Sequence, residues 1–295
     1  MQKTFKAGAL PSARDIRDIK DPTLSLASPY PESHETEFPG FTGEDRQALY
    51  DRYQRNVGVC VACAVATYVE YLYWLKTGKY ERLSVAFLYI AIKRLVDGNP
   101  YEGTSLRSGI RAAMKYGVCR ESTFPTDYSL SHAEFLSQWV PDAAWTEALD
   151  FTIGGYVSVP VDRSLMAAAI HKYGLLLTRM EVGDSWWSPS WLPKDIFPLR
   201  KSKSVVSGHA VDHHRYALSD GTELGFLNWW SGRWGRRGHG EHVLEDYAPT
   251  ECWALTLDSV AQFRNQGPTV SEGVWRSLLE ILRRFGPLKA LIPRI

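Results

Sequence analysis

Between Cys60 and Lys76 the chain reads CVACAVATYVEYLYWLK, apolar on nearly every face of a helix. A helix without a polar stripe cannot lie on a surface, so this stretch predicts a central buried element with the fold built around it. Gly78 follows and supplies its stop. Ser84 can cap a second helix, VAFLYIAIKRLV, ending before DGNP. Thr104 or Ser105 can cap a third, LRSGIRAAMKY, stopped by Gly117. Near residue 150 the pattern changes. TIGGYVSVP, GLLLTRMEV, GHAVDHHRYAL and ELGFLNWW alternate or run apolar between turn signals, and read as short strands. One helix intervenes, RSLMAAAIHKY, capped by Asp162 and closed by Gly174. Helices first and strands later predict an α+β fold with segregated lobes, not alternating βαβ units.

The expected organisation has four parts. Residues 1–44, rich in Pro, Ser, Asp and Glu, read as an extended arm lying over a surface. A helical lobe spans 45–148 and a β lobe 149–258. A C-terminal helix and tail occupy 259–295, with Trp275, Leu278, Leu279, Leu282 and Phe285 at helical spacing. Such a helix folds back on its own domain or, as the alternative, docks onto a larger assembly.

Charge excludes some partners. With 34 basic and 33 acidic residues the net charge is +1, so no global field draws nucleic acid or a membrane surface. No window reaches the roughly 18 apolar residues of a membrane span. The first residues, MQKTFKAGALPSARDIRD, lack the apolar centre of a signal peptide. Four cysteines are too sparse for a disulfide scaffold. Free thiols in a reducing cytosol are the plain expectation; carriage in a larger particle or export after processing are the alternatives.

Two of those cysteines sit three residues apart in QRNVGVCVACA, Gln54 to Ala64. This spacing fits a metal site, a redox pair, or one nucleophile with a packing neighbour. A zinc site needs a second ligand pair, and Cys119 and Cys252 stand far apart with no cysteine beside them. His213 and His214 are adjacent, a poor zinc spacing, which leaves a meeting of His209 and His213 as the remaining arrangement. A thioredoxin-type pair needs a preceding strand, and none is readable before Cys60. No metal or cofactor is implied. As a nucleophile, Cys60 is well placed where a loop gives way to a helix, since the helix dipole favours a thiolate. Gln54 can set its amide beside that thiol, and with the Cys60 N–H form a two-donor hole for an oxyanion. Cys63, one turn further in, reads as a small buried hydrophobe.

A nucleophilic cysteine needs a base and a group to orient it. SGHAV places His209 at the start of a probable buried strand, and GFLNWWSGRWGRRG places Asn228 at the end of another. An Asn oxygen can accept from one ring nitrogen of His209 while the other faces the thiol, and Trp230 can cover that hydrogen bond. Each residue alone has an ordinary structural explanation. The ordered set changes the weight.

Gln-x5-Cys opening a helix, then Gly-His-Ala-Val, then Asn-x-Trp-x3-Trp-Gly-x2-Gly resembles the papain-like cysteine peptidases, over about residues 11–258. LSVAFLY and YEGTSLRSGIRAAMKYGVCRES are similar too, the latter to the segment lining the acyl side of the cleft. The resemblance implies a helical lobe and an antiparallel β-barrel-like lobe with the active site between them. It implies a thiol peptidase in which Cys60 attacks, Gln54 stabilises the oxyanion, His209 is base and acid, and Asn228 orients His209. Gly103 then admits substrate backbone; Thr104, Ser105, Leu106, Ser207, Gly208 and Trp230 line the substrate site, and peptide or protein is the substrate. A structural or docking component with a covered cleft, and an amidase, isopeptidase or transpeptidase using the same residues, are the alternatives. The chain departs from the family pattern in several places. Val57 stands where a cysteine of a common family disulfide is usual, Val61 replaces the usual Trp after the nucleophile, and Thr104 replaces a second glycine. Asp212, His213 and His214 follow where small apolar residues are usual, and no long inhibitory segment precedes Ala13–Asp18.

Overall fold

Helix α1 (Cys60–Thr77) is buried from Cys60 through Leu72, as an all-apolar helix requires. It packs on the central strand of the sheet and on two further helices. Gly78 ends it in the left-handed conformation, with its N–H on the Trp74 carbonyl at 2.7 Å. The computed structural model describes residues 6–15, 18–21, 23–24, 30–38, 52–55, 57–187, 198–218 and 221–257. The expected C-terminal helix lies outside the described residues.

Ser84 caps α2 (Val85–Ala91), accepting the Phe87 N–H at 3.0 Å. The sequence predicts one unbroken helix here, but the chain continues as a π turn over Ile92–Asp97. Within it the Lys93 ammonium is buried and held by Asp97 at 2.8 Å, Asn99 at 3.0 Å and the Gly103 carbonyl at 2.9 Å. Ser105 caps α3 (Leu106–Lys115). A side chain at Gly109 would place its Cβ 2.7 Å from Val61 Cγ1, so α1 and α3 meet where only glycine fits. Short helices α4 (His132–Ser137) and α5 (Asp142–Ala148) follow, α4 with a full capping box between Ser131 and Glu134.

After α5 the chain builds a sheet. Strands β1 (Ala9–Leu10) and β3 (Thr104–Ser105) form a small parallel pair of their own. The main sheet has the order β4 (Gly155–Ser158), β9 (Glu251–Thr256), β5 (Leu176–Gly183), β6 (Val205–Ala217), β7 (Glu223–Leu227), β8 (His239–Val243), with every neighbour antiparallel. β2 (Ser33–Glu35) joins the far end of β6. Helix α6 (Arg163–Tyr173), capped by Asp162, covers the sheet, and α7 (Asp184–Trp187) follows β5. β6 is the hub, pairing with β5 along its first part and with β7 along its second. It begins at Val205, four residues before His209, because the ladder with Gly183 and Val182 extends beyond the apolar run. The α+β class expected from the element order is the one observed.

A buried ion pair anchors the loop ahead of α1. Arg52 donates to Glu70 and Thr67, and to the Leu83 carbonyl at 3.2 Å, while Glu70 accepts the Leu83 N–H at 2.6 Å. Gln54 therefore stands on a loop whose root is locked into α1. Among the described residues no helix is long and apolar enough to cross a membrane, and no group of three or more His, Cys, Asp or Glu is placed to hold a metal ion. All four cysteines are free and buried.

Candidate active site

Cys60 is the first residue of α1, where the unpaired N–H groups and the helix dipole meet. Its thiol is fully enclosed, and burial pushes its pKa up. Backbone N–H groups of Ala210, Gly8, Val61 and Cys60 itself oppose that shift by donating toward the sulfur. Cys63 is buried behind it, with its pKa raised by burial.

His209 lies on β6, immediately before Ala210, and is as deeply buried as the thiol. Its Nε2 is 2.8 Å from Asn228 Oδ1. That oxygen also accepts the Trp229 N–H at 2.7 Å, so it is the acceptor and Nε2 carries the proton. Nδ1 is then the basic nitrogen, and it has no hydrogen-bond partner among the described residues. Burial holds the imidazole pKa down to about 4, with the Asn228 bond working in the opposite direction. The Trp230 ring lies tilted 4.7 Å from the His209 ring, and Trp186 meets His209 edge-on at 5.8 Å. Trp229 Nε1 donates to the Ala210 carbonyl at 2.9 Å, fastening the Asn228 segment to β6. Trp186, from the tryptophan-rich stretch after β5, donates to Tyr247 at 2.6 Å. The end of that stretch, from Ser188, lies outside the described residues.

Gln54 joins the same group. Its N–H donates to the Trp229 carbonyl at 3.1 Å, and Tyr53 bridges to Trp230. Its side-chain Nε2 does not point into an open hole. It donates to the carbonyl of Lys6.

That contact belongs to a feature the sequence does not announce: residues 6–12 run through the site in an extended conformation. The Gly8 carbonyl accepts the Thr104 N–H at 2.8 Å. Ala9 pairs with Thr104 and Leu10 with Ser105. Ser207 Oγ reaches the Ala7 carbonyl at 3.3 Å, and Arg179 Nε the Ala9 carbonyl at 2.9 Å. Gly103 has φ +85°, and a Cβ there would sit 2.7 Å from the Gly8 carbonyl oxygen; at Gly208 the Ala9 carbonyl oxygen would be 2.2 Å away. Of the expected substrate-lining residues, Gly103, Thr104, Ser105, Ser207 and Gly208 thus all face the chain's own backbone. Leu106 is buried at the start of α3, and Trp230 lies over His209. Further along, Ser12 N–H donates to Glu251 at 2.6 Å, and Arg107 holds Asp18 at 2.6 Å. The expected arm over a surface is, in this part, a plug in a cleft. Lys6, Gly8, Glu102 and Arg179 were missed because their roles depend on partners far away in sequence.

Cys60, His209, Asn228 and Gln54 are brought into one neighbourhood, yet no hydrogen bond joins the thiol to Nδ1. Burial favours a protonated thiol and a neutral imidazole, with a peptide segment lying between the oxyanion-side amide and the cleft glycines. A thiol at a helix start, an unprotonated ring nitrogen and a carbonyl-directed amide are parts that acyl transfer can use.

No protein-family model matches the chain, and no curated protein matches its sequence. Solved structures do. Xylellain, a cysteine protease from Xylella fastidiosa, superposes with a TM-score of 0.69 at 20% identity, covering 87% of this chain and 97% of that one. Digestive procathepsin L 3 of Tenebrio molitor larval midgut matches with a TM-score of 0.59 at 17% identity, covering 81% and 74%. Bromelain from Ananas comosus, in complex with the inhibitor E64, matches at 0.55 and 20%, covering 78% and 100%. The chain has the papain-like fold, with helices ahead of an antiparallel sheet.

Proposed function

We propose that this protein is a papain-type cysteine peptidase held in a closed state by its own N-terminal segment. The observation that carries the reading is the extended peptide of residues 6–12 lying across Gln54, Cys60 and Gly103, with the Lys6 carbonyl on the Gln54 amide. A cleft that accepts an extended backbone through its carbonyls and N–H groups is suited to peptide substrates.

In the reaction, Cys60 loses its proton to Nδ1 of His209, and the sulfur adds to the substrate carbonyl carbon. Gln54 Nε2 and the Cys60 N–H donate to the resulting oxyanion. The C–N bond breaks as His209 returns its proton to the departing amine, leaving a thioester on Cys60. Water, deprotonated by His209, adds to the thioester and releases the carboxylic acid and the free thiol. Asn228 keeps Nε2 protonated and the ring oriented throughout.

The N-terminal segment is not set up as a substrate. By the resemblance, residues preceding the scissile bond lie against Gly103 and Thr104, but here it is the later residues, Ala9 and Leu10, that lie there. The segment therefore runs backwards past the thiol. When it leaves, water reaches Cys60 and His209 and relieves the burial that keeps both neutral.

A covered cleft also fits a docking component that makes no use of its thiol, and the same residues fit transfer to an amine in place of water. Labelling with an epoxide that alkylates active-site thiolates, followed by peptide mapping, separates the first. Alkylation confined to Cys60 and abolished in His209→Ala supports the peptidase; none in the full chain or in a Lys6→Glu variant supports docking. Product analysis with an added amine separates the second.

A further inference from the structure

We propose that Glu102 selects substrates with a lysine or arginine side chain at the residue whose carbonyl is attacked. This rests on the peptidase reading above and names its substrate class.

Glu102 stands on the loop just before Gly103, at the rim of the cleft. One of its carboxylate oxygens accepts the Gly58 N–H at 2.8 Å, only two residues before Cys60. That bond fixes the side chain beside the nucleophile. The other oxygen pairs with the Lys6 ammonium at 2.6 Å, and Lys6 is its only cationic partner among the described ion pairs. A neutral amide would hold Gly58 equally well, so the loop contact alone does not call for a charge.

Lys6 does two things with one residue. Its carbonyl occupies the Gln54 amide while its ammonium reaches Glu102. A single basic residue therefore spans the distance from the oxyanion-side donor to this carboxylate. A substrate running in the productive direction also places the carbonyl under attack on Gln54, which brings the side chain of that residue within the same reach. Once residues 6–12 withdraw, Glu102 loses its cation while its Gly58 bond keeps it aimed. The side chain is 29% exposed in the closed state, so a seated substrate shields the new pair further and strengthens it relative to an open surface pair. The other described arm-to-body ion pairs, Asp15 and Asp18 with Arg107 and Arg111 and Asp21 with Lys172, are made by other residues and leave Glu102 free for this role.

The test uses the full chain and two peptidyl acyloxymethyl ketones, identical except for lysine or norleucine at the residue bearing the ketone. The N-terminal segment competes with both equally, so the ratio of Cys60 inactivation rates reads the pocket. The lysine probe is expected to react about tenfold faster, the worth of one charge-assisted hydrogen bond. Glu102→Gln should bring the ratio to within about twofold of one, and Glu102→Lys should turn the preference toward a glutamate probe. Equal rates in the unaltered chain, or a lysine preference that survives Glu102→Gln, would overturn the proposal and leave the peptidase reading standing. If neither probe reaches Cys60, the pair is applied to Lys6→Glu, whose side chain is repelled from Glu102. A lysine preference there supports the proposal, equal rates there overturn it, and no reaction there removes the peptidase reading and this inference with it.

Discussion

His209 and His213 stand four residues apart on the same strand, β6, and both are fully buried. Their ring nitrogens are treated differently. His213 has both engaged: Nδ1 with Thr178 Oγ1 at 2.9 Å and Nε2 with His242 Nε2 at 2.7 Å. His209 has one engaged, by Asn228, and keeps Nδ1 without a partner among the described residues. Next to His213, His214 Nε2 pairs with His239 Nδ1 at 3.0 Å. The papain-like pattern has small apolar residues here, and the chain has two paired histidines instead. Burial and residue type are shared, so neither marks a base. What distinguishes His209 is a nitrogen left over after its orienting bond is made.

Replacing each histidine breaks the comparison most directly. His209→Ala should slow Cys60 alkylation and turnover by about a thousandfold or more while the melting temperature moves little. His213→Ala removes the partner of His242 Nε2 and one of the two partners of Thr178 Oγ1 in the interior and should cost about 2–4 kcal/mol of stability. Its labelling rate, measured below its melting range, should stay near that of the parent. A folded His213→Ala protein without labelling would mean the two sites are one.

Acid sharpens the same contrast. Burial pushes His209 and His242 down to about 4, and His213 and His214 well below their ordinary range. The unfolded chain takes up protons near pH 6.5 and the folded one does not, so stability falls as pH drops from about 6.5 toward 4. Together these groups should remove several kcal/mol over that window, read as a steep fall in melting temperature. His242→Gln should flatten that curve. An unchanged curve would place the acid sensitivity elsewhere.

Asn228→Ala tests the orienting bond alone. Losing one hydrogen bond of about 1–3 kcal/mol should slow turnover roughly ten- to hundredfold, less than His209→Ala does. The smallest effect is expected at Asp212, between the two histidines. Its carboxylate is buried, neither oxygen has a partner among the described residues, and burial raises its pKa well above the usual carboxylate range. Stability from a raised acid is present at low pH and lost as pH rises, so Asp212 is a cost at neutral pH. Asp212→Asn should stabilise the fold by about 1–2 kcal/mol at pH 8 and by less at pH 5. Destabilisation at pH 8 would show that the charge has a use.

Much of the fold was readable because it rests on local rules. The all-apolar run from Cys60, the Gly78 stop, the Ser84 and Asp162 caps and the later strands each follow from neighbours in sequence. The π turn after α2 was not readable, because Lys93 finds its acceptors at Asp97, Asn99 and Gly103 only once the loop has closed around it. Nor were the pairs His213–His242 and His214–His239, since strand pairing across β6, β7 and β8 decides which histidines meet.

By itself, the sequence determined the α+β class, the buried helix that starts at Cys60, and the ordered set Gln54, Cys60, His209 and Asn228, because helix periodicity, caps and motif spacing are properties of short stretches. Only the tertiary structure decided that Nδ1 is the free nitrogen of His209, that residues 6–12 lie in the cleft, and that Lys6 reaches Glu102. Those outcomes join segments far apart in sequence, as Ser207 on β6 to the Ala7 carbonyl at 3.3 Å, where register and close backbone approach, not composition, choose the partner.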